Sequence, residues 1–174
     1  VKRTRNVHYR GRDVVVPFVD SRRQRIYEAE KRVFGEVWEA YAIGTGSDAE
    51  RYRAAEAFIR RVTNGGVFKW SMTKFMGHFA RHTMPKVFRG RSNAAAWGSA
   101  DGVSLPRWAL NAPIVLHELA HYAVPQVAHH WPWAETYLDL VRIYMGTAWA
   151  DRLRYEFDKD GIPYREPRKR KVTA

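Results

Sequence analysis

Residues 111–123 read Asn-Ala-Pro-Ile-Val-Leu-His-Glu-Leu-Ala-His-Tyr-Ala, and no other stretch restricts the fold so tightly. Asn111 is a natural N-cap and Pro113 falls in the first turn, where its missing amide costs nothing, so the run predicts a helix. Ile114, Val115 and Leu116 precede His117, Leu119 and Ala120 separate Glu118 from His121, and Tyr122 and Ala123 follow. A helix this poor in charge is expected to be buried, and it takes two imidazoles and a carboxylate into the interior with it. Helical residues four apart face the same way, so His117 and His121 can reach one metal ion while Glu118 projects from an adjacent angle toward water held there. A zinc ion so placed supplies Lewis acidity and lowers the pKa of its water to about 7, and a neighbouring glutamate can take the proton as a carbonyl is attacked. With seven His and ten Glu in 174 residues, chance produces this pattern at a rate of roughly 2 %.

A catalytic zinc site uses three protein ligands and leaves a position for water, so one ligand is still to be found. The chain has no cysteine, which removes disulfides, zinc ribbons and thiol nucleophiles and leaves His, Asp, Glu or main-chain oxygen for any metal. A third His six residues past the motif is excluded, because that position is Val127. His129, His130 and Glu135 remain. Four of the seven histidines lie between 117 and 130, a concentration that favours a His. Neighbours on an ordered segment point in different directions, so one of His129 and His130 has another role. Tyr122, Trp131 and Tyr137 are candidate donors to a developing oxyanion, although packing explains each of them more simply. His78 and His82 are also four apart, but no acid lies between them, and they read as surface or half-buried residues.

The rest of the chain supplies one domain's worth of framework. From Ser21 to about Gly44, Ile26, Ala29, Val33, Phe34, Val37, Trp38 and Tyr41 recur at helical spacing, and Asp20 or Ser21 is the expected cap. Ser47-Asp48-Ala49-Glu50 is a capping box opening a second helix that closes at Asn64-Gly65-Gly66. Val67 to Thr83 carries an apolar stripe weakened by Gly77. Three short extended pieces at 86–89, 94–98 and 103–105, with a turn at Ala100-Asp101-Gly102, suggest a small, mainly antiparallel sheet. Trp133, Tyr137, Leu138, Val141 and Tyr144 then repeat at helical spacing behind Pro132. The fold class expected is α+β, with helices packed on the sheet and the His-Glu-x-x-His helix at the centre.

Of the net charge of +12, +10 sits at the ends. Residues 1–25 hold eight basic side chains against two acidic, and residues 165–171 hold five against one. The expected organisation is a basic arm at 1–19, a domain at 20–160 and a basic tail at 161–174. Such ends can neutralise phosphates without reading sequence, or simply be solvated. No stretch approaches a membrane span or a secretory leader, and together with the absence of cysteine this points to the reducing cytoplasm.

The segments Leu105-Pro106-Arg107-Trp108-Ala109, Val115–His121, His130-x-Pro132 and Tyr137-Leu138-x-Leu140-Val141, with Asp20–Glu30 before them, resemble a small metallohydrolase family of actinobacteria and their phages. A more distant likeness is to SprT-like zinc proteases, whose motif helix is followed by His-Gly-Pro-x-Phe. Aligned on that segment, His130 takes the place of the ligand and Pro132 that of the proline, while Trp131 and Ala134 depart from it. The resemblance implies a zincin-like fold, zinc held by His117, His121 and His130, and Glu118 as general base. For a protein or peptide substrate, the strand at 94–98 or 103–105 is the expected sheet edge against which an extended chain pairs, as where a backbone edge is left unpaired beside a cleft. The alternative reading is a nucleic-acid-binding or virion-associated protein in which the metal is structural.

Overall fold

Ile26, Ala29, Val33 and Phe34 form the buried face of the first helix, α1 (Arg23–Phe34). The helix stops at Gly35, short of the expected Gly44, because glycine costs about 1 kcal/mol in a helix interior. Val37 and Trp38 still pack on the core, from a turn leading into a 3₁₀ segment at Glu39–Tyr41. The computed structural model describes residues 22–77, 83–125 and 128–165, together with the backbone of two strands, β1 (Thr4–Tyr9) and β2 (Arg12–Pro17). The expected caps Asp20 and Ser21 lie outside the described residues, and Arg22 at the helix start makes no side-chain cap bond.

The second helix, α2 (Asp48–Asn64), has the anticipated capping box, with the Ser47 hydroxyl accepting from the Glu50 N–H and the Glu50 carboxylate accepting from the Ser47 N–H at 2.7 Å. Helix α3 (Gly66–Met76) ends at Gly77, whose φ of +55° glycine adopts without penalty. It therefore falls short of Thr83. His78 and His82 lie outside the described residues.

Three strands follow: β3 (Lys86–Arg89), β4 (Trp97–Ser99) and β5 (Gly102–Leu105), in the order β3-β5-β4. The turn joining β4 to β5 makes that pair antiparallel, with Gly98 opposite Val103. β3 lies on the far side of β5 and runs parallel to it, with Val87 also opposite Val103. The sheet is thus mixed rather than mainly antiparallel, since β4 reverses the chain between two strands running the same way. β5 is the central strand and is buried along its whole length.

Helix α4 (Ala112–Ala123) starts where expected, with the Asn111 side chain accepting from the Ile114 N–H at 3.1 Å and Pro113 in the first turn. It packs on β4 and β5 on one side and on α5 (Trp131–Tyr144) on the other. A helix absent from the sequence reading, α6 (Thr147–Lys159), closes the described chain by burying Ala150, Leu153 and Phe157. It lies against α1, where Arg32 bonds Glu156 and Asp160 and Arg25 donates to the Asp160 carbonyl at 2.7 Å. The architecture is mixed α+β, with six α-helices among the described residues. Within the stretch read as a basic arm, β1 and β2 pair antiparallel from Thr4 opposite Pro17 to Tyr9 opposite Arg12, whereas the basic tail from 166 onward lies outside the described residues. No helix is long and apolar enough to cross a membrane among the described residues.

Candidate metal centre

The helical spacing of α4 brings His117 and His121 together, and the loop leading into α5 adds His129 to them. The Nε2 atom of His129 lies 3.1 Å from that of His117 and 3.1 Å from that of His121. One ligand atom from each of the three falls within 4.8 Å of the others. Ligands held tetrahedrally at about 2.0–2.1 Å from an ion sit roughly 3.3 Å apart, so the spacing suits a metal. All three imidazoles pack around the fully buried Trp133 ring, whose centroid is 4.5–5.2 Å from theirs.

The sequence left the third ligand open between His129, His130 and Glu135, and the family likeness put it at His130. The structure gathers His129 with the motif pair instead. His130 is the residue just before α5, in extended backbone, and its Nδ1 faces Arg22 at 3.1 Å. His129 lies in the turn before it, so the two imidazoles leave the chain in different directions. Ala128 prepares that turn with a φ of +46°, unusual for a residue with a side chain. Glu135 is one helical turn into α5, where it pairs with Lys74 of α3.

A second carboxylate, unforeseen in the sequence, completes the centre. Glu30 of α1 is 7 % exposed, and its Oε1 accepts a hydrogen bond from His117 Nδ1 at 2.7 Å. A carboxylate can only accept here, so the proton resides on Nδ1 and the Nε2 lone pair of His117 points at its two companions. Burial opposes charge on His117, but Glu30 outweighs it and holds the imidazole above its ordinary pKa. His121 has no carboxylate partner among the described residues, and burial with the neighbouring imidazoles drives its pKa well below the usual value, leaving it neutral. The hydroxyl of Tyr137 is within reach of both Glu30 and the Pro113 carbonyl, the latter at 3.4 Å, and burial pushes its pKa well up.

Glu118 is 5 % exposed, and burial raises its pKa against the pull of His117 and Arg23. The backbone N–H of Gly98 on β4 faces it and opposes that rise. That strand runs so close to α4 that a Cβ on residue 98 would stand 2.1 Å from the Glu118 carbonyl oxygen. Only glycine fits. Beside Glu118 and His117 opens a cavity of about 260 Å³, walled by Ala95, Ala96, Trp108, Ile114 and Trp38, with Arg23 and Tyr27 at its α1 side. Glu118 thus shares with His117 the wall of a largely apolar hollow.

Of the candidate oxyanion donors, Tyr122 places its hydroxyl on the Thr83 carbonyl at 3.1 Å and Trp131 lays its ring against Phe75. Glu30 did leave a trace in the sequence. It stands four residues after Ile26 and three before Val33, a lone charge on an otherwise apolar helical stripe. No protein-family model, curated protein or solved structure matches the chain.

Proposed function

We propose that the chain is a zinc-dependent hydrolase of zincin-like form, most simply a peptidase, with His117, His121 and His129 as ligands and Glu118 as general base. The observation that carries this reading is the convergence of three Nε2 atoms beside a buried carboxylate that faces a cavity. Zinc held there would supply Lewis acidity toward a carbonyl and toward the attacking water. Glu118 takes one proton from the attacking water as its oxygen bonds the carbonyl carbon and the C=O electron pair moves onto oxygen. When that pair returns, the C–N bond breaks and Glu118 delivers the proton to the departing nitrogen. Its raised pKa suits a group that must both accept and give back a proton.

An extended peptide has one strand to pair with at this site. β5 is paired on both sides, whereas β4 is an edge strand lying along α4 at Glu118. The apolar walls of the adjoining cavity suit an apolar side chain of such a peptide. The lack of cysteine argues against a purely structural zinc.

Elemental analysis of purified protein tests the reading. One zinc per chain is expected in the wild type, His130→Ala and Glu135→Ala, and none in His129→Ala. Glu118→Gln should retain zinc and lose hydrolysis of a susceptible peptide. Zinc lost from His130→Ala and kept in His129→Ala would overturn the ligand assignment, and a wild type that takes up no zinc would overturn the function.

A further inference from the structure

We infer that Tyr27 and Arg23, one turn apart on α1, form the electrophilic pair that binds the negatively charged oxygen of the tetrahedral intermediate. The inference rests on the hydrolase reading and adds to it the one role that the motif does not fill. A carbonyl attacked at this site gathers charge on its oxygen, and a preorganised donor aimed at that oxygen is usually a large contribution to catalysis.

The aromatic donors suggested by the sequence are committed elsewhere. The hydroxyl of Tyr122 is on the Thr83 carbonyl, and that of Tyr137 is on the Pro113 carbonyl. Tyr27 is placed differently. It lines the same cavity as Glu118 and His117, and its ring stands 5.8 Å from that of His117 and 6.0 Å from that of His129. Its oxygen accepts a hydrogen bond from Arg23 Nε at 3.0 Å. A phenol that accepts from a cation is left with its own hydrogen to donate, and that hydrogen has no acceptor among the described residues. Tyr27 is 38 % exposed and lines the cavity, so a ligand there can reach it.

Arg23 reinforces the donor. Its guanidinium sits 5.3 Å from the centre of the Tyr27 ring, lines the cavity, and makes its positive charge felt at Glu118, His117 and His121. Burial keeps Tyr27 protonated beyond its normal range, as a donor must be. The geometry therefore sets a general base on α4 and an electrophilic wall on α1, with the cavity between them.

The test uses zinc-loaded protein and N-phosphoryl-L-leucinamide, whose tetrahedral phosphoryl oxygens imitate the intermediate and whose side chain suits an apolar wall. Titration calorimetry is run on the wild type, Tyr27→Phe, Arg23→Gln, Arg23→Lys and the remote control Tyr155→Phe, with zinc content measured in each. The expected result is full zinc in all five. Loss of a hydrogen bond to a charged oxygen should weaken binding about tenfold or more in Tyr27→Phe and Arg23→Gln, with partial recovery in Arg23→Lys and no change in Tyr155→Phe. Zinc-replete Tyr27→Phe and Arg23→Gln that hold the probe as tightly as wild type overturn this inference alone, as does a zinc-loaded wild type that ignores the probe. Failure to take up zinc overturns the hydrolase reading and this inference with it.

Discussion

Replacing Glu30 by Gln removes one charge and almost no volume from a position 7 % exposed to solvent. The amide oxygen of Gln can still accept from His117 Nδ1, so the imidazole keeps its tautomer and the lone pair on Nε2 keeps its direction. What is lost is charge assistance. A hydrogen bond to an ionised partner contributes about 1.5–3 kcal/mol and a neutral one about 0.5–1.5 kcal/mol, a difference of about 1–1.5 kcal/mol. Zinc affinity should therefore fall about 5- to 12-fold, toward the lower end of what outer-shell changes at metal sites cost. The assay is competition for zinc between the metal-free protein and a chelator of known affinity, with thermal melting of the metal-free protein alongside. Because the substitution relieves a buried carboxylate, the metal-free melting temperature should hold or rise while affinity falls. A residue that only supports the fold would move both downward. Unchanged zinc affinity in Glu30→Gln would refute the argument that this carboxylate tunes His117.

Gly98→Ala forces a methyl group to within 2.1 Å of the Glu118 carbonyl; we expect a loss of about 1–3 kcal/mol, read as a fall in melting temperature of about 2–12 °C, and an unshifted melt would show that β4 does not sit so tightly on α4. Ala128→Gly should stabilise by about 0.5–1 kcal/mol, since about 1–2 kcal/mol of left-handed strain is relieved against about 0.5–1 kcal/mol of added backbone entropy; denaturant melts check this, and destabilisation would contradict the φ of +46°. Deleting residues 1–19 and 165–174 should weaken binding to nonspecific duplex DNA and flatten its salt dependence by about 0.9 in log–log slope for each phosphate contact removed. An unaltered salt slope would show that the basic ends do not touch nucleic acid.

The helical parts of the site were readable wherever local chemistry decided the outcome. Asn111, Pro113 and the apolar flanks of the motif place α4 to the residue, and Ser47 with Glu50 does the same for the start of α2. Reading failed where the decision was tertiary. The choice between His129 and His130 depends on how the turn before α5 is folded, which the backbone at Ala128 and the start of α5 fix, not side-chain type. The parallel pairing of β3 was hidden because it depends on the path between strands rather than on either strand's composition. Helix α6 escaped because its buried face consists of only Ala150, Leu153 and Phe157 among many charges. Glu30, by contrast, was visible as a charge out of place on an apolar stripe, and its meaning needed a partner 87 residues away.

The bracing of α1 by α6 has a consequence for anyone who shortens this chain. Every residue that faces the centre, Glu30 and the three imidazoles included, precedes Gly146, so a fragment stopped there carries the complete set. Yet the bonds from Arg32 to Glu156 and Asp160, and from Arg25 to the Asp160 carbonyl, go with the deleted helix. The fragment would keep its ingredients and lose the strut that sets the tilt of α1, and with it the register between one wall of the cavity and the other.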